Sequence, residues 1–194
     1  MNNLIALLAK YPQYIEKKSY KTNETIFYEN DTCHSVGIVK NGEINIKSYF
    51  SNGKEVTYNV LREGQMFGNN LVFSSSPKYR GDVLSQKESE IWFINKENLL
   101  KILKEDDEFI VLYLTQQSDF SKTLNFKIKL LTISGAEDRL TYYLTFNKGK
   151  VSYISITKLA EELYLTRESL SRTISKMLEE GKIRQNRKSL ELVV

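Results

Sequence analysis

The chain has 194 residues, 41% hydrophobic and 27% charged, with 28 Lys and Arg against 24 Asp and Glu for a net charge of +4, a size that holds one large domain or two modest ones. Its single cysteine, Cys33, excludes an intramolecular disulfide and an iron–sulfur cluster held by four cysteines of this chain. No apolar run approaches the ~20 residues needed to span a bilayer, and the start MNNLIALLAKYPQYIEKK lacks a basic leader and a cleavage site, so a cytoplasmic protein without a membrane partner is expected.

Residues 4–9 (LIALLA) predict a short amphipathic helix closed by Pro12. From Tyr20 to about Ile94 the chain reads as short strands. IFYEN, SVGIVKNGEINIKSYF, EVTYNVLREGQMFG and DVLSQKESEIWFI alternate apolar and polar residues. Asn41-Gly42 and Asn52-Gly53 are the strongest hairpin signals, and Glu63-Gly64 marks another turn. Short strands at this spacing predict a jelly-roll-like β-barrel. Inside it, FGNNLVF (67–73) breaks the alternation and is read as one turn of helix. With the arginine of the loop SSSPKYRGD (74–82), its amides would outline an anion pocket. Cys33 is read as a plain loop cysteine, with a redox-responsive thiol as the alternative. His34 is its neighbour, and adjacent residues do not serve opposite faces of one haem iron.

From Asn95 to about Ile133 the pattern is helical. Ile110, Tyr113, Gln117, Phe120, Leu124, Lys127 and Leu131 follow 3-4-3-4 spacing, a heptad seam that polar Gln117 and Lys127 keep short. Two readings stand: a dimer contact, or a face packed on the chain's own barrel. The dimer suits a reader of two half-sites.

The C-terminal segment carries the basic excess. Residues 134–194 hold 11 Lys and Arg against 8 Asp and Glu, and residues 1–133 hold 17 against 16. ISITKLAEELYLTRESLSRTISKMLEEG (154–181) reads as two short helices meeting at a tight turn. Thr157 is expected to cap the first, with Leu159, Ala160 and Leu163 inward. Thr166 caps the second by accepting from the Ser169 amide, and Gly181 ends it. Leu170, Ile174, Met177 and Leu178 face inward, while Arg167, Glu168, Ser171, Arg172 and Ser175 face out. Those outward side chains suit base edges in a major groove. The plainer reading makes them a solvated face with local ion pairs. Next, KIRQNRKSLELVV places Ile183, Leu190, Leu192 and Val194 around a polar tip, Gln185 to Lys188. That predicts a β-hairpin wing whose Arg187 and Lys188 touch phosphate.

A barrel, a long helix and a winged helix-turn-helix in this order resemble the Crp/Fnr family of bacterial transcription regulators. The resemblance rests mainly on KNGEINIKSYFSNGKEVTYNVLREGQMFG and LTRESLSR and covers essentially the whole chain. It implies an α+β fold in three parts. These are a cyclic-nucleotide-binding-like sensory barrel (1–104), a dimerisation helix (105–133) and a winged helix-turn-helix DNA-binding domain (134–194). In the family, residues matching Arg167, Glu168 and Arg172, and in some members Ser171, contact base edges, so the expected DNA-binding set is Thr166, Arg167, Glu168, Ser171, Arg172, Arg187 and Lys188. Tyr164 departs from the pattern, since many members have glycine in this turn. Cyclic-nucleotide-binding members share a Phe/Ile-Gly-Glu-Leu cassette, with an arginine eleven residues after the glycine that neutralises the cyclic phosphate. Here the cassette reads Phe67-Gly68-Asn69-Asn70, Tyr79 stands at the arginine position, and Arg80 comes one residue late. A one-residue offset turns the side chain to the opposite face of an extended segment. These six residues are the expected effector pocket, and cyclic AMP, haem and iron–sulfur cofactors are all expected to be absent.

The resemblance therefore implies a homodimer on a pseudo-palindromic double-stranded DNA operator, with RNA polymerase a further partner if it activates. The alternative is a small-molecule or nucleotide receptor whose C-terminal module docks a protein. No nucleophile with its base, paired carboxylates or metal cluster converges on the barrel, so no enzymatic activity is expected.

Overall fold

The computed structural model describes residues 3–53 and 55–193 and is an α+β fold. After helix α1 (Asn3–Leu8) come eight strands: β1 (Glu16–Tyr20), β2 (Thr25–Phe27), β3 (Ser35–Asn41), β4 (Glu43–Tyr49), β5 (Glu55–Arg62), β6 (Met66–Phe67), β7 (Asp82–Ser85) and β8 (Ser89–Asn95). They form two four-stranded antiparallel sheets, ordered β1-β8-β3-β6 and β2-β7-β4-β5. Helices α2 (Lys96–Glu105) and α3 (Asp107–Thr132) follow. Asp106 separates them and caps α3, its Oδ1 accepting from the Phe109 amide at 2.9 Å. Then come α4 (Ala136–Phe146), β9 (Lys150–Ser152), α5 (Ile156–Glu162), α6 (Arg167–Glu179), β10 (Ile183–Asn186) and β11 (Ser189–Leu192). The last two strands join β9 in a three-stranded sheet ordered β10-β11-β9. Val194 lies outside the described residues.

The two Asn-Gly pairs behave differently. Asn52-Gly53 closes the β4–β5 hairpin, with Gly53 at φ 77° and its amide on the Phe50 carbonyl. Asn41-Gly42 is no hairpin, because β3 and β4 belong to different sheets. There the glycine makes a corner at φ 99°, where a Cβ would stand 2.0 Å from Ser89 Oγ. The same left-handed chemistry serves both turns, so the dipeptide alone does not distinguish them.

The chain divides into two compact units, Met1–Ser118 and Asp119–Val194, and the dividing point falls inside α3. Each unit has its own core. The first is built from Leu4 and Leu8 of α1, Val36, Ile38 and Val39 of β3, Ile44 of β4, Ile91 and Ile94 of β8, and Leu99 and Ile102 of α2. The second joins Leu130, Leu140, Leu144, Leu159, Leu163, Leu170, Ile174, Met177, Ile183 and Leu190.

Candidate nucleic-acid interface and barrel cassette

Helix α6 is set by its cap and its stripe. Thr166 Oγ1 accepts from the Ser169 amide at 3.1 Å, and Leu170, Ile174 and Met177 are buried against the second core. Leu178 is half-buried on the same side. Arg167, Glu168, Ser171, Arg172 and Ser175 are exposed. Gly181 follows the helix at φ 69°. The first helix is capped not by Thr157 but by Ser155, whose Oγ accepts from the Lys158 amide at 3.2 Å. In the turn between them, Tyr164 adopts φ 55°, the left-handed conformation that glycine usually supplies. In the wing, Gln185 and Asn186 belong to β10, which leaves Arg187 and Lys188 as the exposed tip, with Arg187 at φ 50°.

The cations of α5, α6 and the C-terminal sheet differ in whether they meet a carboxylate, and Arg184 of β10 is exposed and meets none among the described residues. Lys150, Lys158, Lys176 and Lys182 each meet a carboxylate, at 3.4, 2.6, 2.9 and 2.5 Å. Arg167, Arg172, Arg187 and Lys188 meet none among the described residues. Arg167, Glu168 and Arg172 thus form no ion pair among the described residues, although Lys176 of the same helix pairs with Glu137 and Glu180.

Glu137 anchors the paired group. Its carboxylate accepts from Lys182 Nζ at 2.5 Å and Lys176 Nζ at 2.9 Å, and the two ammoniums hold it down at about 2. A carboxyl held below its ordinary value, near 4.5, adds stability that is complete above that value and lost as pH falls toward 2. Between pH 4.5 and 2, melting temperatures followed by far-ultraviolet circular dichroism should thus fall more steeply for the wild type than for Glu137→Gln. Parallel curves would mean that another group carries the acid sensitivity.

In the barrel, Phe67 closes β6 and Gly68 turns the chain at φ 73°, where a Cβ would stand 2.8 Å from the Ser35 carbonyl oxygen. The expected helical turn is present only as a single turn that does not continue into a helix. Residues 69–73 form hydrogen-bonded turns, with the Leu71 and Val72 amides sharing the Gly68 carbonyl at 2.9 Å. Asn69 is buried and committed to α3: its Nδ2 donates to Gln117 Oε1 at 2.9 Å. Its carbonyl accepts from Tyr113 Oη at 3.1 Å and Gln117 Nε2 at 2.7 Å. Asn70 is exposed.

Tyr79 points inward. It is 3% exposed and stacks on Phe27 with ring centroids 4.5 Å apart. Phe27 in turn meets Phe67 and Phe93 edge-on. Arg80 is exposed, and only its carbonyl turns back, accepting from Ser48 Oγ at 3.2 Å. Of the six residues expected to line one pocket, Phe67, Gly68 and Tyr79 gather in the interior around Phe27, Asn69 turns to α3, and Asn70 and Arg80 are exposed. The Cys33 thiol beside Tyr79 is buried and donates to the Ser35 carbonyl at 3.3 Å. Burial pushes its pKa up, opposite to the direction a reactive thiol needs. The Tyr79 hydroxyl is buried and meets no oxygen or nitrogen partner among the described residues, only the Cys33 thiol, a weak acceptor. Removing it in Tyr79→Phe should therefore stabilise the barrel by about 1 kcal/mol in denaturant melts. A loss of stability would reveal a hydrogen bond to the thiol.

The expected seam of α3 splits. Tyr113 is buried, Gln117 is bonded to Asn69, and Ile110 and Lys127 are half-buried. Phe120, Leu124 and Leu131 are exposed at 38%, 48% and 55%. Three exposed apolar residues were missed: Val111, Leu114 and Ile128. The signal for the last two was a second heptad row, Leu114-Gln117-Ser121-Leu124-Ile128-Leu131.

The sequence pattern of the cyclic nucleotide-binding domain matches residues 17–106. Over 178 residues the chain is 22% identical to the anaerobic regulatory protein of Bacillus subtilis, covering 86% of this chain and 75% of that protein. Over 175 residues it is 21% identical to the cyclic AMP receptor protein of Thermus thermophilus, covering 88% and 81%. A solved CooA mutant from Carboxydothermus hydrogenoformans shares the fold at a TM-score of 0.68 and 19% identity, over 97% of this chain and 90% of that one. No helix among the described residues is long and apolar enough to cross a membrane. With a barrel matched by that domain and relatives of this kind over most of its length, the chain is similar to Crp/Fnr-type transcription regulators.

Proposed function

We propose that this regulator is a cytoplasmic, dimeric, sequence-specific DNA-binding protein that acts without cyclic AMP. The observation that carries the reading is the set of exposed cations on α6 and the wing that meet no carboxylate among the described residues. Lys150, Lys158, Lys176 and Lys182 are held by carboxylates, while Arg167 and Arg172 of α6 and Arg184, Arg187 and Lys188 of the wing are exposed and meet none among the described residues. An arginine reads a guanine edge through two parallel hydrogen bonds, Glu168 can accept from a cytosine amine, and the wing tip neutralises phosphate. Thr166 completes the set from the helix N-terminus.

Dimerisation is assigned to the uncovered apolar row of α3, Leu124, Ile128 and Leu131 with Phe120 at its flank. Two copies joined there would present two recognition helices to half-sites about one DNA turn apart, hence a pseudo-palindromic operator. Independence from cyclic AMP follows from the cassette. Tyr79 fills the interior where an arginine would meet phosphate, and Asn69 is already engaged by Gln117 and Tyr113. RNA polymerase is a further partner if the protein activates.

Selection from a random duplex pool with purified protein and no added ligand tests this reading. A two-fold-symmetric motif, a dimer in sedimentation and no calorimetric signal with cyclic AMP are expected. An unenriched pool from a monomeric protein would refute the DNA reading, and micromolar binding of cyclic AMP would refute the reading of the cassette.

A further inference from the structure

Arg139 is the one charged residue that is buried among the described residues, at 9% exposure, and no carboxylate there pairs with it. Its guanidinium is spent entirely on backbone carbonyls. Nε donates to the Ile133 oxygen at 3.0 Å, joined by Nη2. Nη1 donates to the Leu163 oxygen at 3.1 Å and the Tyr164 oxygen at 2.9 Å. Ile133 directly follows α3, Leu163 is the C-terminal cap of α5, and Tyr164 is the turn before α6. Helix ends leave carbonyls without intrahelical donors, and each carries roughly half a negative charge. Two such ends facing one guanidinium offset its charge where a carboxylate would otherwise be needed.

The turn itself makes the contact consequential. Tyr164 sits at φ 55° without being glycine, a conformation its Cβ disfavours. Thr166, two residues on, already caps α6. The orientation of the Tyr164 peptide therefore sets the direction in which α6 starts, and Arg139 holds that peptide by its carbonyl. A planar guanidinium reaches three separate oxygens at fixed angles, which a lysine ammonium, as a point donor, does not.

We infer that Arg139 is a positioning residue for recognition: it fixes the left-handed turn at Tyr164, ties it to the end of α3, and so aims α6 without touching DNA. The inference rests on the DNA reading above for its consequence, and its test separates the two. Full-length Arg139→Gln and Arg139→Lys are compared with the wild type by amide nuclear magnetic resonance and by competition between the selected operator and random duplex. The amides of residues 164–172 shift in both variants while those of β8 stay in place. Selectivity for the operator falls by about tenfold or more, as when a paired base contact is misaligned, with Lys intermediate. Affinity for random duplex stays within about twofold, because exposed phosphate contacts are untouched. If Gln prevents folding, Lys retains the charge and carries the test. Unmoved α6 amides, or equal loss on operator and random duplex, would overturn the inference. If the wild type prefers no duplex while the α6 amides still move, the DNA reading falls and the positioning role stands.

Discussion

Arg172→Ala lowers affinity for the selected operator by about 1–3 kcal/mol, roughly tenfold to more than a hundredfold, and relaxes the preference at one base position. Arg172 is exposed on the face of α6 that also carries Arg167, Glu168 and Ser171, and it makes no ion pair among the described residues whose loss could mimic the effect through stability. Lys188→Ala is the contrasting substitution. At the wing tip it weakens all duplexes alike and lowers the slope of log affinity against log salt by about 0.9, the signature of one phosphate contact. Mobility-shift titrations on selected and scrambled duplexes at several salt concentrations read both. If Arg172→Ala weakens scrambled and selected duplex equally, α6 is not the reading face.

Gly37→Ala should destabilise the first unit by about 1–3 kcal/mol or more. Gly37 of β3 pairs with Phe67 of β6, and the ring lies over the glycine so closely that a Cβ would stand 2.2 Å from Cζ. The ring has little room to retreat. It is 2% exposed, with Phe27 and Phe93 against it at centroid distances of 6.5 and 6.1 Å. Trp92 of β8 gives a fluorescence reading of denaturant unfolding within the same unit. Trimming the obstructing ring in Gly37→Ala/Phe67→Leu should recover part of the loss. An unchanged midpoint for the single variant would show that the aromatic cluster yields more readily than its packing implies.

Local signals were legible wherever one residue decides the geometry. The Thr166 cap, the 3.6-residue stripe of α6 and the left-handed Gly181 are such cases. Legibility failed where tertiary context decides. The β1 segment EKKSY has no apolar alternation, because four of its five residues stay exposed and only pairing with β8 makes it a strand. Strand β9 is three residues long and exists by pairing with β11. The Asn-Gly corner at 41–42 could be separated from the hairpin at 52–53 only by knowing which sheet each flanking strand joins. For the cassette, the sequence exposed the mismatch at Tyr79 but not its resolution. Stacking on Phe27 depends on residues more than fifty positions apart.

Helix α3 has a thermodynamic consequence. Of its 26 residues, 12 fall in the first compact unit and 14 in the second. Neither half is longer than the ~12–15 residues at which an isolated helix is already marginal in water, so each half relies on packing against its own core, through Phe109 and Tyr113 in the first unit and Leu130 in the second. Melting of one unit therefore unwinds the half of α3 that packs on its core. Heat capacity scans should show a transition for each unit, moved when that unit's own core is weakened. A fragment ending at residue 118 should melt below the corresponding transition of the whole protein.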